Sequence, residues 1–133
     1  MSELLLMCII GGHRAAIPAI RVQSVIEIEE ITPIPGVPSF ILGLTALRSQ
    51  ALTVIDCSAA LGFESCGDIT GRRAAVVDVE GHLYALLVDE AYDVGEARSE
   101  PVDVPGGMVE TDGGPAVLID VEVLVKGRVA QAA

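Results

Sequence analysis

The sequence predicts an all-β fold of two small barrels packed together, and three observations lead there. Apolar residues fall in segments five to eight long, cut by Gly, Pro and Asp rather than spaced for long helices. Hydrophobic residues make up 51 % of the 133, yet there are only two Phe, two Tyr and no Trp. The core material is therefore Val, Ile, Leu and Ala, which in short runs favours strands. The chain also repeats. Gly12-His13-Arg14-Ala15-Ala16-Ile17 resembles Gly81-His82-Leu83-Tyr84-Ala85-Leu86 at an offset of 69 residues. Leu52-Thr53-Val54-Ile55-Asp56 resembles Ala116-Val117-Leu118-Ile119-Asp120 at an offset of 64. Repeats that far apart suit paired barrels better than a solenoid.

Taken in order, strands are expected near 4–10, 14–17, 21–29, 40–47 and 51–56, then near 73–80, 82–88, 91–98, 107–111 and 115–119. Gly11-Gly12-His13 and Glu80-Gly81-His82 supply hairpin turns between neighbours. A turn is expected after Pro18. Short helices are expected at 57–61 and 121–126, because Asp56 and Asp120 each end an apolar strand where a carboxylate caps the first amides. Gly62 and Gly127 close those helices. The division expected is a first barrel over 1–62, a linker at 63–71 and a second barrel over 72–126, within one domain. Barrels of that size are marginal alone; packed together they share a core and leave a groove at their junction, where binding is usually found.

Composition excludes several functions. A net charge of −11 with eight scattered cations repels a phosphate backbone, and no basic stripe or aromatic platform exists, so nucleic acid is not a partner. The longest purely apolar run, Leu4 to Ile10, is too short to span a membrane and lacks the cationic flank of a signal peptide. The chain is read as cytoplasmic, with no direct membrane insertion. Cys8, Cys57 and Cys66 follow no metal spacing; the first two read as small buried hydrophobes and the third as a loop residue.

Catalysis needs convergent titratable groups, and none is apparent. His13 and His82 occupy equivalent turns of the repeat, which favours a turn role for both. No phosphate-cradling loop, nucleophile elbow or helical His pair is present. Asp56-Cys57-Ser58 lacks the glycine that an aspartic protease triplet requires. The expectation is a chain that is not an enzyme and holds no metal or cofactor.

Arg48 stands apart. It is the only Lys or Arg between residues 22 and 71, at a tight turn between Phe40–Leu47 and Ala51–Asp56, in a stretch with six acids. A lone guanidinium at such a tip is either an ordinary solvated turn residue or one held for pairing and recognition.

Around that turn, Ile34-Pro35-Gly36-Val37-Pro38, Ile41-Leu42-Gly43-Leu44, Leu47-Arg48, Val54-Ile55-Asp56 and Leu61-Gly62 follow in an order that resembles the CheW family. The similarity reaches upstream to Gly12, Ala16-Ile17 and Val22-Gln23, and downstream to Val88-Asp89, Val94 and Leu118-Ile119-Asp120, covering roughly residues 4 to 125. The resemblance implies two packed five-stranded SH3-like barrels and a non-catalytic adaptor. Its partners would be a chemoreceptor cytoplasmic hairpin and the regulatory domain of a CheA-type histidine kinase. It places Arg48, Ala91 and Val94 on the receptor side, and Val22 and Gly43 at kinase contacts. Three positions depart from the family pattern: Ser24 for Glu, Ala46 for Asn and Ser49 for Gly. They leave open a divergent adaptor in another or competing receptor–kinase complex. The Met1 start and the lack of an appended domain lead us to expect an independent protein rather than a kinase fragment.

Overall fold

The computed structural model describes residues 4–38, 40–61, 72–96, 108–111, 114–122 and 124–125. Among the described residues ten strands form: β1 Leu4–Ile10, β2 His13–Pro18, β3 Val22–Glu27, β4 Ile41–Leu47, β5 Gln50–Asp56, β6 Arg73–Val79, β7 His82–Leu87, β8 Glu90–Glu96, β9 Met108–Thr111 and β10 Gly114–Leu118. Each overlaps a strand expected from the sequence. A 3-10 turn, Ala19–Arg21, follows Pro18. One short helix, α1 Cys57–Ala60, follows Asp56, whose Oδ1 accepts from Ala59 N at 3.3 Å. The expected second helix is described only at 121–122 and 124–125, where Leu124 N donates to Asp120 O.

The strands share out into two five-stranded sheets, ordered β8-β1-β2-β10-β9 (sheet A) and β3-β6-β7-β5-β4 (sheet B). The expected division into consecutive halves is not how they are built. Sheet A takes β1 and β2 from the start of the chain and three strands from its end; sheet B takes β3 to β7. The internal repeat is nonetheless real. At an offset of 69, Cys8↔Ala91 matches Val77↔Val22, and Leu6↔Val94 matches Ala75↔Val25. Each pairing also carries a register shift at the same place, between Met7 and Cys8 and between Val22 and Ser24. What differs from the expectation is that each leading hairpin, β1–β2 or β6–β7, pairs with the later strands of the other repeat. The parallel ladders β2:β10 and β5:β7 seal that exchange. Sequence similarity identifies repeated units, but only long-range pairing decides which unit a hairpin joins. The linker expected at 63–71 lies outside the described residues.

Three buried clusters explain why the strands read as continuous apolar runs. Residues of one face of sheet B, such as Leu52, Val54, Ala74, Val76 and Leu87, fill its interior. Leu5, Met7, Ala16, Val109 and Ala116 do the same for sheet A. The opposite faces meet in the largest cluster, with Cys8, Ile10 and Ile17 from one sheet against Val77, Leu86 and Ile55 from the other. Strands covered on both faces lose the polar alternation of a half-exposed strand. Burial pushes the Cys8 thiol up to about 12, with the Asp89 carboxylate adding to the shift, so it stays protonated in this core.

Sheet B is also linked from edge to edge at one point. The chain leaving β3 returns to the far edge, where Thr32 bridges Leu44. Thr32 N donates to Leu44 O and Leu44 N donates to Thr32 O, both at 2.8 Å. Gly43 makes this approach possible. Its φ is +146°, and a Cβ there would lie 2.2 Å from Thr32 O and 2.8 Å from Ile31 Cγ2. The two edges of sheet B thus meet through one bridge rather than a ladder, and the barrel stays open.

Polar contacts brace the two sheets at equivalent places. Asp89 Oδ2 accepts from Gly12 N in the first hairpin turn, and its Oδ1 accepts from Arg72 Nη1 at 2.8 Å. Arg21 Nη2 donates to Asp78 O beside the second hairpin turn, while its Nη1 pairs with Glu122 Oε1 at 2.8 Å. These ion pairs are partly exposed and each contributes at most about 1 kcal/mol. No helix among the described residues is long and apolar enough to cross a membrane.

Candidate functional site

The β4–β5 hairpin turns through Arg48 and Ser49, between the paired residues Leu47 and Gln50. Both central residues have positive φ, 51° and 70°. This is the geometry of a tight two-residue hairpin, which glycine adopts without strain and side-chain-bearing residues do not. Ser49 therefore holds a left-handed backbone with a Cβ. Replacing it by glycine is expected to raise stability by about 0.5–1 kcal/mol, read as a higher denaturation midpoint. An unchanged or lower midpoint would mean that the turn is not strained.

Arg48 is exposed at the tip, and among the described residues no hydrogen bond or ion pair holds it. Ser24 is exposed on β3 and offers no carboxylate. Clefts open on both sides of the turn's base. One, of about 560 Å³, is walled by Ile26, Leu44, Leu47 and Ala51 and edged by Glu27, Glu29 and Glu30. The other, of about 430 Å³, is lined by Gln23, Gln50, Ala51, Asp78 and His82.

The remaining expected residues spread over both sheets. Gly43 shares the hairpin with Arg48 but is buried, its role fixed by the Thr32 bridge. Val22 starts β3 and packs half-buried against the shared core. Ala91 packs against the same cluster from β8. Register makes Val22 and Ala91 the same position of the two repeats, although the resemblance assigned them to different partners. Val94 is 54 % exposed on β8, an edge strand of sheet A.

The junction of the sheets is filled by the shared core rather than left as a groove along its length. Its apolar face continues outward, however. Val94 lies opposite Leu6, and Leu4, 52 % exposed, sits one pair further along the same face of β1. Ile20, in the 3-10 turn that packs on β1, is 89 % exposed. Val25 is the repeat counterpart of Val94 and is also exposed. Leu4, Ile20 and Val25 were not singled out from sequence. The offset of 69 that aligns Val25 with Val94 is the signal that would have found the last of them.

Among the described residues, no group of three His, Cys, Asp or Glu side chains is placed to hold an ion. His13 Nδ1 hydrogen-bonds Gly11 O within its own turn, at 2.9 Å. Asp56 caps α1 as expected. What the surface offers is apolar side chains, a projecting guanidinium and a sheet edge, the elements of protein recognition.

The family model for the CheW-like domain matches residues 4–129. The chain belongs to the CheW family. Similar proteins include the chemotaxis protein CheW of Rhizobium meliloti (strain 1021), 27 % identical over 85 residues, which are 64 % of this chain and 55 % of that protein. Protein FrzA of Myxococcus xanthus is 36 % identical over 81 residues, 59 % of this chain and 49 % of that protein. The chain thus spans about half the length of the curated relatives it matches. The crystal structure of the scaffolding protein TtCheW from Thermoanaerobacter tengcongensis shares the fold with a TM-score of 0.78 at 24 % identity, covering 93 % of this chain and 88 % of that one. The CheW fold accounts for the two five-stranded sheets and their few short helices.

Proposed function

We propose that this CheW-family chain is a chemotaxis adaptor, coupling chemoreceptor cytoplasmic tips to a CheA-type histidine kinase through protein–protein contacts and without catalysis. The observation that carries the reading is the set of exposed apolar residues Leu4, Val94 and Ile20. Val94 pairs with Leu6, which packs on the shared core, Leu4 lies beside it on β1, and Ile20 is in the turn that packs on β1. An α-helical hairpin presents apolar residues at i, i+3 and i+4, which such a set accepts. Arg48 fixes register by a charge-assisted hydrogen bond to a carboxylate or carbonyl of the receptor. Ala91 shapes the floor beside Val94. The kinase regulatory domain, itself of this fold, is met on the β3–β4 side. There Val22 and the exposed Val25 supply contact, and Gly43 sets the hairpin's shape. These interactions take place in the cytoplasm.

Arg48→Ala is expected to weaken receptor-tip binding by about 1–3 kcal/mol, roughly five- to 150-fold in Kd, with little change in melting temperature. Isothermal titration with a receptor-hairpin fragment measures it. Unchanged affinity would make Arg48 an ordinary solvated turn residue.

A second reading has its own support in Ser24, Ala46 and Ser49. They leave Arg48 without the family's acidic neighbour and place a side chain in the left-handed turn. In that reading the chain is a divergent or competing adaptor. It would bind receptor tips while failing to stimulate kinase activity in a reconstituted receptor–kinase assay.

A further inference from the structure

The folded unit of this protein is a pair of complementary half-chains. Of the eight ladders in the two sheets, four join a strand before residue 62 to one after residue 71: β1:β8, β2:β10, β3:β6 and β5:β7. Neither half builds a sheet alone. β3 pairs along its length only with β6, and β8 only with β1. Each core cluster likewise draws on both halves, as Leu5 and Met7 pack with Val109 and Ala116, and Leu52 and Val54 with Ala74 and Leu87. The polar braces from Asp89 to Gly12 and from Arg21 to Asp78 and Glu122 also cross between them. A lone hairpin with uncovered faces is not stable in water. Each half therefore folds on the other.

We infer that a second copy of this chain can supply either half, so that two copies close into a reciprocal dimer in which 4–61 of one chain pairs with 72–125 of its partner. Every ladder, cluster and brace named above is reproduced in that dimer, because each contact needs a first half and a second half but not the same covalent chain. The difference between monomer and dimer is then set by concentration and by the connection at 62–71, through which the effective concentration of the attached half acts.

The test uses the full chain carrying a protease site between residues 62 and 71, folded first and then cut. The cut protein is expected to elute with the intact chain and to keep its β-sheet circular dichroism. Its urea midpoint should rise with protein concentration, while that of uncut monomer stays fixed. When cut isotope-labelled and unlabelled samples are mixed, unfolded and refolded, native mass spectrometry should show about half of the complexes as hybrids, as random re-pairing requires. Uncut chain refolded at high concentration should yield a species of twice the 13.8 kDa chain mass. Four results would each overturn the inference. They are one half staying folded after separation, a cut protein that unfolds and never re-pairs, refolding without hybrids, and uncut chain that refolds only to the 13.8 kDa monomer at high concentration.

Discussion

Gly43→Ala is expected to cost about 3–5 kcal/mol of folding stability. Three terms add up to that figure. An L-residue at φ +146° is strained by about 1–3 kcal/mol. The added Cβ meets backbone, Thr32 O at 2.2 Å, which no flexible side chain can relieve by swinging away. Moving Thr32 aside then breaks two 2.8 Å bonds to Leu44, each contributing about 1 kcal/mol, and parts the edges of sheet B at their bridge. Against a typical domain stability of about 5–15 kcal/mol, this removes a large share. The melting temperature should fall by roughly 10 °C or more. Gly12→Ala is the control, since its φ of +79° is also left-handed but nothing lies within 4 Å of the new Cβ. It should cost only about 1 kcal/mol. If the two variants melted together, the bridge would not depend on the missing side chain at Gly43. The comparison also bears on function, because a buried Gly43 that shapes the hairpin affects any partner indirectly, through the fold.

The second large effect is expected at Leu86. It is fully buried in the cluster where the two sheets face each other, so Leu86→Ala leaves a cavity that both sheets line. Leu-to-Ala changes of this kind cost about 2–5 kcal/mol, depending on how far the site collapses. The neighbours here are β-strand residues such as Ile55 and Val77, fixed by ladders on either side, which limits collapse and places the cost in the upper half of that range. Because the cluster joins the sheets, unfolding should remain a single transition followed by circular dichroism in urea. A loss under about 1 kcal/mol, or two separate transitions, would mean that the sheets are independent units.

Most of the strands were legible because they are short apolar runs bounded by turn residues, and the run's own composition decides the matter. β4 and β5 are the clearest case: Leu47-Arg48-Ser49-Gln50 marks the turn, and Val54-Ile55-Asp56 carries both the core and the helix cap. The repeat was legible too, down to the offset that aligns His13 with His82. What escaped was the exchange of hairpins between repeats, since pairing β1 with β8 depends on contacts nearly ninety residues apart that leave no local mark. Gly43 was singled out from resemblance as a contact. Its role at the bridge was invisible because the residue it accommodates, Thr32, lies across an irregular segment rather than in a neighbouring strand. The exposed apolar set was half seen. Val94 came from the family pattern, whereas Leu4 and Ile20 look from sequence like ordinary core residues yet are exposed.

The most direct test of the adaptor reading is a titration of this chain against a receptor cytoplasmic hairpin fragment and a CheA regulatory domain, with wild type, Arg48→Ala and Val94→Asp compared in each. The account predicts binding to both partners. Arg48→Ala and Val94→Asp should weaken the receptor fragment while leaving the kinase domain bound as in wild type. Binding to neither partner by wild-type protein whose fold is confirmed by circular dichroism would contradict it.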